Sequence, residues 1–283
     1  MPSFDTPEPI SVTAHVPAAA IRFTAGDRAD TVVEVRPRDP KRDKDVRTAE
    51  QTEVGYANGV LTIRTLPRRR TLLGPNGLVD VTVELPAGSD VDVSGGSWAQ
   101  VLGEGRLGEV RVKTSSGEVR LDTTGPLTLS VTHGPVTVDR VEGPAEITSS
   151  TGHVRVGTVA GPAVLKNSHG NTTVGVVTGE LRVSGANGAI DIAHAEASVT
   201  GTSTNGPLRV AEVARGDVQL ETSNGSIEIG IRQGTAAWLD VSSNRGQVRN
   251  RLAASEAPEQ TEDSVKIRAR TNWGNIDVLR AQA

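Results

Sequence analysis

Cysteine is absent from the chain, and aromatic residues make up only 2% of it. Without thiols there can be neither a disulfide framework nor a thiolate metal site. A large sandwich or barrel usually fills part of its core with rings. Their scarcity points to a narrow core of stacked aliphatic side chains. No apolar run approaches the roughly 18 residues of a membrane span. The opening MPSFDTPEPISVTAHVP has no basic segment followed by an apolar one, so no signal peptide is expected and the expected compartment is the cytoplasm. Nor is either sign of charge in large excess. Thirty basic against 34 acidic residues give a net charge of −4, with no general pull toward nucleic acid or anionic membrane. No Gly-x-x-x-x-Gly-Lys-Ser/Thr run is present to cradle a phosphate.

What the chain does have is glycine, 31 residues of it, among many Val and Thr. That mixture argues for short strands joined by tight turns. The glycines are also periodic. STNGPLRV at 203–210 is nearly rewritten as TSNGSIEI at 222–229, and the glycine after the polar triplet recurs at Gly117, Gly134, Gly152, Gly170, Gly188, Gly206, Gly225, Gly246 and Gly274. The steps are 17, 18, 18, 18, 18, 19, 21 and 28 residues. Two and four residues after each glycine the chain is almost always aliphatic, as at Val119 and Leu121 or Ile190 and Ile192. With a period of two those side chains share one face of a strand. A second glycine lies midway at Gly125, Gly143, Gly161, Gly179, Gly216 and Gly234 and opens another strand, with Leu127, Ala145, Ala163, Leu181, Val199 and Val218 pointing inward.

One copy cannot bury these positions alone, whereas a stack of copies can. The expected fold is therefore all-β, a parallel β-solenoid of right-handed β-helix type with rungs of about 18 residues. Asn-Gly at 187–188, 205–206 and 224–225 suits a tight corner but is also a hairpin signal, so a β-sandwich or meander of hairpins is the alternative. The column three residues after the glycine favours the stack. It reads Arg120, Thr137, Arg155, Thr173, Asp191, Arg209, Glu228, Arg249, Asp277, with no like charges adjacent in sequence order.

Residues 1–90 are less regular, with strands expected at 10–16, 20–23, 31–36, 54–57, 60–65 and 78–85. They read as irregular rungs and a cap, continuous with a regular solenoid over 91–283. The polar stretches 38–53 and 66–78 and the acidic stretch 251–264 are expected to project as loops. Trp98 and Trp273 lie near the ends of the regular array, where a ring would shield an open end of the core.

The copies TSSGEVRL, SSTGHVRV, TSNGSIEI and TNWGNIDV resemble the bacterial β-strand-repeat family labelled "putative adhesin", domain-of-unknown-function family 4097. The resemblance is strong from about residue 91 onward and looser through VVEVRPRD, and the opening is similar to the family's cytosolic branch. It implies a β-helical or closely related repeat fold. It implies no activity and carries over no site residues.

Candidate chemistry is sparse. Asp191 and Glu228 fall two rungs apart in one column, about 9–10 Å at about 4.8 Å per rung, near the roughly 6.5–9.5 Å that separates the carboxyl groups of inverting glycosidases. They are the candidate catalytic pair of a carbohydrate-active β-helix. Arg209 falls between them, which favours a ladder of ion pairs over general-acid work. Of His15, His133, His153, His169 and His194, two share a corner column two rungs apart, His133 and His169, with Thr151 between. Zinc ligands must converge within about 2.0–2.1 Å of one ion, so no metal or cofactor is expected. Lys41, Arg42 and Lys44 form one basic cluster and Arg68, Arg69 and Arg70 another, but neither has the broad stripe or stacking rings of a nucleic-acid footprint. Arg42, Arg68, Arg69 and Arg70 are the candidate contacts for a protein partner. The reading is a non-enzymatic, adhesin-like scaffold or interaction protein. The alternatives are a carbohydrate-binding or carbohydrate-active β-helix, and end-to-end self-assembly through uncapped rungs.

Overall fold

A computed structural model describes residues 1–66, 77–252 and 263–281. The chain divides into two compact units, Met1–Glu142 and Gly143–Ala283. Each is a flattened coil that alternates between two sheets.

The regular coils show how the period becomes structure. In the first unit Val110–Ser116 lies in one sheet, the chain turns at Gly117, and Val119–Thr124 lies in the other. One coil later come Leu127–His133 and Val136–Val141. Strands a coil apart pair in parallel and in register, Val110 against Leu127 and Val119 against Val136. The period of about 18 residues is thus the length of one coil, and each inward column becomes a row of stacked aliphatics. Val110, Val119, Leu121, Leu127, Val136 and Val138 are all buried. Each such side chain contributes about 1.5–3 kcal/mol on burial. Parallel pairing decides for the solenoid over the meander of hairpins.

The second unit repeats the pattern through five coils, from Ala145–Thr151 and Val154–Val159 to Gly216–Asn224 and Ile227–Ile231. Pairing is in register at each step, as for Ile190 on Leu208 and Leu208 on Ile227. An inner column at the corner is polar. Ser149, Asn167, Ser203, Thr222 and Thr271 are all at least nine-tenths buried. The Asn167 amide donates to the carbonyls of Gly152 and Gly170, at 3.0 and 3.1 Å, and the Thr222 and Thr271 hydroxyls donate to those of Gly206 and Gly225, at 3.2 and 2.9 Å. Asn167, Thr222 and Thr271 thus satisfy corner carbonyls that the ladder leaves over, whereas the Ser149 and Ser203 hydroxyls have no partner among the described residues.

The corner glycine has two causes, and the sequence shows only one. At Gly188 the backbone has φ of 134°, a region closed to most side chains. Gly225 lacks that left-handed φ, yet a Cβ there would collide with the Gly206 carbonyl one coil away. Close stacking of corners, as much as turn conformation, keeps the column glycine.

Both units depart from sequence order at one edge of their sheets. In the first, strands Ser11–His15 and Ala18–Gly26 form a coil flanked on one side by Asp90–Ser94 and Trp98–Arg106. On the other side lie Val60–Thr65 and Val79–Pro86. Beyond these the pairing turns antiparallel: Thr52–Ala57 on Val60–Thr65, Asp30–Pro37 on Val79–Pro86, and Ser3–Asp5 on Asp30–Pro37. In the second unit Ser264–Trp273 and Ile276–Arg280 insert between the coil at 216–231 and the outermost strands, Ala236–Arg245 and Val248–Asn250.

This insertion corrects the charge column. Glu228 lies opposite Asp277, a like-charge pair, and Asp277 opposite Arg249, so the alternation seen in sequence order does not hold in space. The tryptophans are corrected too. Trp98 lies in a strand paired on both sides, and Trp273 lies between Asn224 and Arg245 with about half its surface exposed, so neither covers a core end. Each ring instead takes a guanidinium on its face, Arg38 at 5.4 Å and Arg245 at 4.2 Å.

Candidate interaction surfaces

The expected loop at 38–53 contains the one helix among the described residues, α1, Asp43–Glu50. Its sequence has little apolar surface, and its anchoring is polar. Asp45, 3% exposed, accepts the Leu78 N–H at 2.9 Å on one oxygen and the Asp39 N–H at 3.2 Å on the other. Thr48 accepts the Gly77 N–H at 3.1 Å and donates to the Lys44 carbonyl at 2.8 Å. A buried carboxylate needs such donors, and Asp45 in the first turn also opposes the helix dipole. The helix is thereby pinned along 77–78, and its solvent side carries Lys44 and Arg47 beside Asp43 and Glu50, with Lys41 and Arg42 just before it. Lys41, Arg42, Lys44 and Arg47 are all exposed. Arg42 lies 4.0 Å from Asp39, and among the described residues no carboxylate is within ion-pair distance of Lys41, Lys44 or Arg47. Arg68, Arg69 and Arg70, the other candidate contacts, lie outside the described residues.

Asp191, Arg209 and Glu228 do share a column, in successive coils. The Arg209 guanidinium donates to Glu228 at 3.1 Å and reaches Asp191 at 3.5 Å. The hydrogen bond to Glu228, then the charge of Asp191, raises the Arg209 pKa above its ordinary value. The arrangement is a bridged ladder on an exposed face. Asp277, beyond Glu228, has Arg249 and Arg251 at 3.8 and 3.7 Å.

The histidines do not converge. His133 is opposite Ser116, while His169 is opposite Thr151 and Asn187; both are exposed. Among the described residues no three His, Asp or Glu side chains form a metal-binding group. His194, one of five histidines in the sequence, sits in a polar cluster instead. Arg232 lies 2.9 Å from its Nε2, Glu212 3.5 Å from its Nδ1, and Arg232 also holds Glu212 at 2.7 Å. The signal was the column itself, since His194 and Glu212 stand six residues after their corner glycines.

One asparagine ladder of two links stitches neighbouring coils at the surface. Asn205 donates to Asn187 at 3.0 Å and Asn224 donates to Asn205 at 2.8 Å. Among the described residues no helix is long and apolar enough to cross a membrane.

A family model described as Toastrack DUF4097 matches residues 8–279, and the chain belongs to that family. Among solved structures, the chain is similar to a "putative adhesin" from Parabacteroides distasonis, 12% identical with a TM-score of 0.43, covering 98% of this chain and 95% of that one. It is also similar to one from Bacteroides fragilis, 11% identical with a TM-score of 0.42, covering 98% and 95%. A "putative cell adhesion protein" from Clostridium sporogenes is 10% identical with a TM-score of 0.23, covering 99% and 98%. No curated protein matches the sequence.

Proposed function

We propose that this Toastrack-family chain is a non-enzymatic scaffold that binds a protein partner through insertions carried on its coils. The supporting observation is α1. An insertion with few apolar residues is held by two buried polar side chains, Asp45 and Thr48, while four cations face solvent. Anchoring of that kind fixes the position of charge, which is what a recognition surface requires. The Asp191–Arg209–Glu228 ladder favours a structural use of the carboxylates over glycoside chemistry.

The test is affinity capture from source cells, with wild type beside a variant carrying Lys41→Glu, Arg42→Glu, Lys44→Glu and Arg47→Glu whose circular dichroism is unchanged. A stoichiometric protein retained by wild type and lost by the variant is expected. Retention of that protein by the variant moves the contact away from α1. A wild type that binds glycans and no protein overturns the reading, and turnover of a glycan lost in Asp191→Asn or Glu228→Gln would replace it with an enzyme.

A further inference from the structure

We infer that the partner of the basic α1 surface is the acidic segment at 252–265 of a second copy of this chain. The inference rests on the reading of α1 as a binding surface and names its occupant.

The receiving surface is a cavity of about 740 Å³ beside α1, with Lys41, Arg42, Lys44 and Arg47 around it and Gly77 and Leu78 beneath. Two carboxylates also line it. Asp45 is buried on the backbone N–H groups of Leu78 and Asp39, and Arg42 lies 4.0 Å from Asp39, which leaves Lys41, Lys44 and Arg47 with no carboxylate at ion-pair distance among the described residues.

The complementary feature is in the sequence of the second unit. Regular coils return from one sheet to the next in three residues, at 160–162, 178–180 and 196–198. The return from Val248–Asn250 to Ser264–Trp273 takes 13, residues 251–263. About ten residues are therefore in excess of what the coil needs, at a contour length of roughly 3.3 Å each when extended. That excess has one sign of charge. LAASEAPEQTEDSV, at 252–265, carries Glu256, Glu259, Glu262 and Asp263 and neither lysine nor arginine. Residues 253–262 lie outside the described residues, so the argument uses their composition and length alone.

The insertion at 38–51 has five basic against four acidic side chains but sets Lys41, Lys44 and Arg47 toward solvent, while the insertion at 252–265 carries acidic charge only, so every copy is both donor and acceptor. The contact is heterologous, one copy's segment on the next copy's α1. Attraction between such exposed charges is strongly screened by salt.

Sedimentation of the full chain tests this at about 0.01 M and about 0.5 M salt, where the screening length falls from about 30 Å to well under 10 Å. The expected result is a weight-average mass that grows with protein concentration in low salt and returns to the monomer in high salt. Two charge-reversed variants give the decisive arm: K41E/R42E/K44E/R47E, and E256K/E259K/E262K. Each is expected to be monomeric alone. Mixed in equal amounts they are expected to associate again, because the intact surface meets the intact segment and the two reversed elements also carry opposite charge, whereas the corresponding Gln variants are expected to stop at a 1:1 dimer, with mass rising about twofold. The milder Gln pair also serves if either reversal disturbs the fold. The inference fails if wild type stays monomeric in low salt, if both variants still self-associate, or if the mixture stays monomeric. In the first case, capture of a foreign protein through α1 leaves the broader reading standing, whereas loss of both ends both.

Discussion

The two units finish one edge of their sheets in opposite ways. In the first, the outer strands are antiparallel, and the coil inside them is sealed: Leu61, Ile63 and Val83 are fully buried. In the second, the outermost strands are parallel like the rest, and among the described residues nothing pairs beyond them. Leu239 and Val241 occupy inward positions but are only half-buried, Val248 is 43% exposed, and Trp238 stands 69% exposed beside them. A parallel coil ends by presenting a copy of the surface it was built on. An antiparallel strand breaks the repeat, and short outer strands present little for another chain to pair with.

Corner glycines should separate the two kinds of turn most sharply. At Gly206 an added Cβ meets both a positive φ and the Gly188 carbonyl, so Gly206→Ala is expected to cost about 3–5 kcal/mol in urea unfolding. Gly59, in the antiparallel hairpin Thr52–Ala57 to Val60–Thr65, has positive φ but open space, and Gly59→Ala should cost about 1–2 kcal/mol. Equal losses would mean that the stacked carbonyls yield, contrary to the geometry.

Next come paired truncations of the two edges. Leu61→Ala is expected to lose about 2–5 kcal/mol, the range for a buried leucine, and Leu239→Ala under about 1.5 kcal/mol because its methyls are already partly wet. A large loss at Leu239 would show that something covers the second unit's outer coil.

Smaller still is Asn205→Ala, which breaks two links of the surface ladder and should cost about 1 kcal/mol. The smallest effect is electrostatic. The Arg270 hydrogen bond, then the neighbouring arginine charges, hold the Asp240 carboxyl on the open edge below its ordinary value of 3.8. A depressed acid stabilises the fold above its unfolded pKa, and the contribution is lost as pH falls through the lower folded value. Melting temperature followed from about pH 6 down to about pH 2 should therefore drop slightly less steeply in Asp240→Asn. A steeper drop in the variant contradicts the assignment.

Much of the coil was readable because a column in sequence is a column in space wherever coils follow one another. The strand positions at 60–65, and the inward rows from Val119 to Ile229, follow from a period alone. What a period cannot carry is the order of coils. Glu228 and Asp277 belong to one column in any reading, but only pairing shows that they lie opposite each other and that Arg249 lies outside them. α1 was missed because its anchors, Asp45 and Thr48, are polar, so the segment shows almost none of the apolar spacing that marks a helix. Asn-Gly was ambiguous for a physical reason. Asn58-Gly59 makes a hairpin with positive φ at both residues, whereas at Asn187-Gly188 only the glycine has it. The dipeptide is the same, and the pairing of the flanking strands decides.

The inserted coil also has a consequence in time. Strands Ala236–Arg245 and Val248–Asn250 leave the ribosome before Ser264–Trp273 and Ile276–Arg280, yet among the described residues those later strands are the ones they pair with. Until residue 280 has been made, the outer coil lacks its native neighbour, and the natively paired stack ends at 231. Ending synthesis at residue 263 would therefore cost the second unit two native coils, 264–280 because it is never made and 236–250 because it is left without its neighbour.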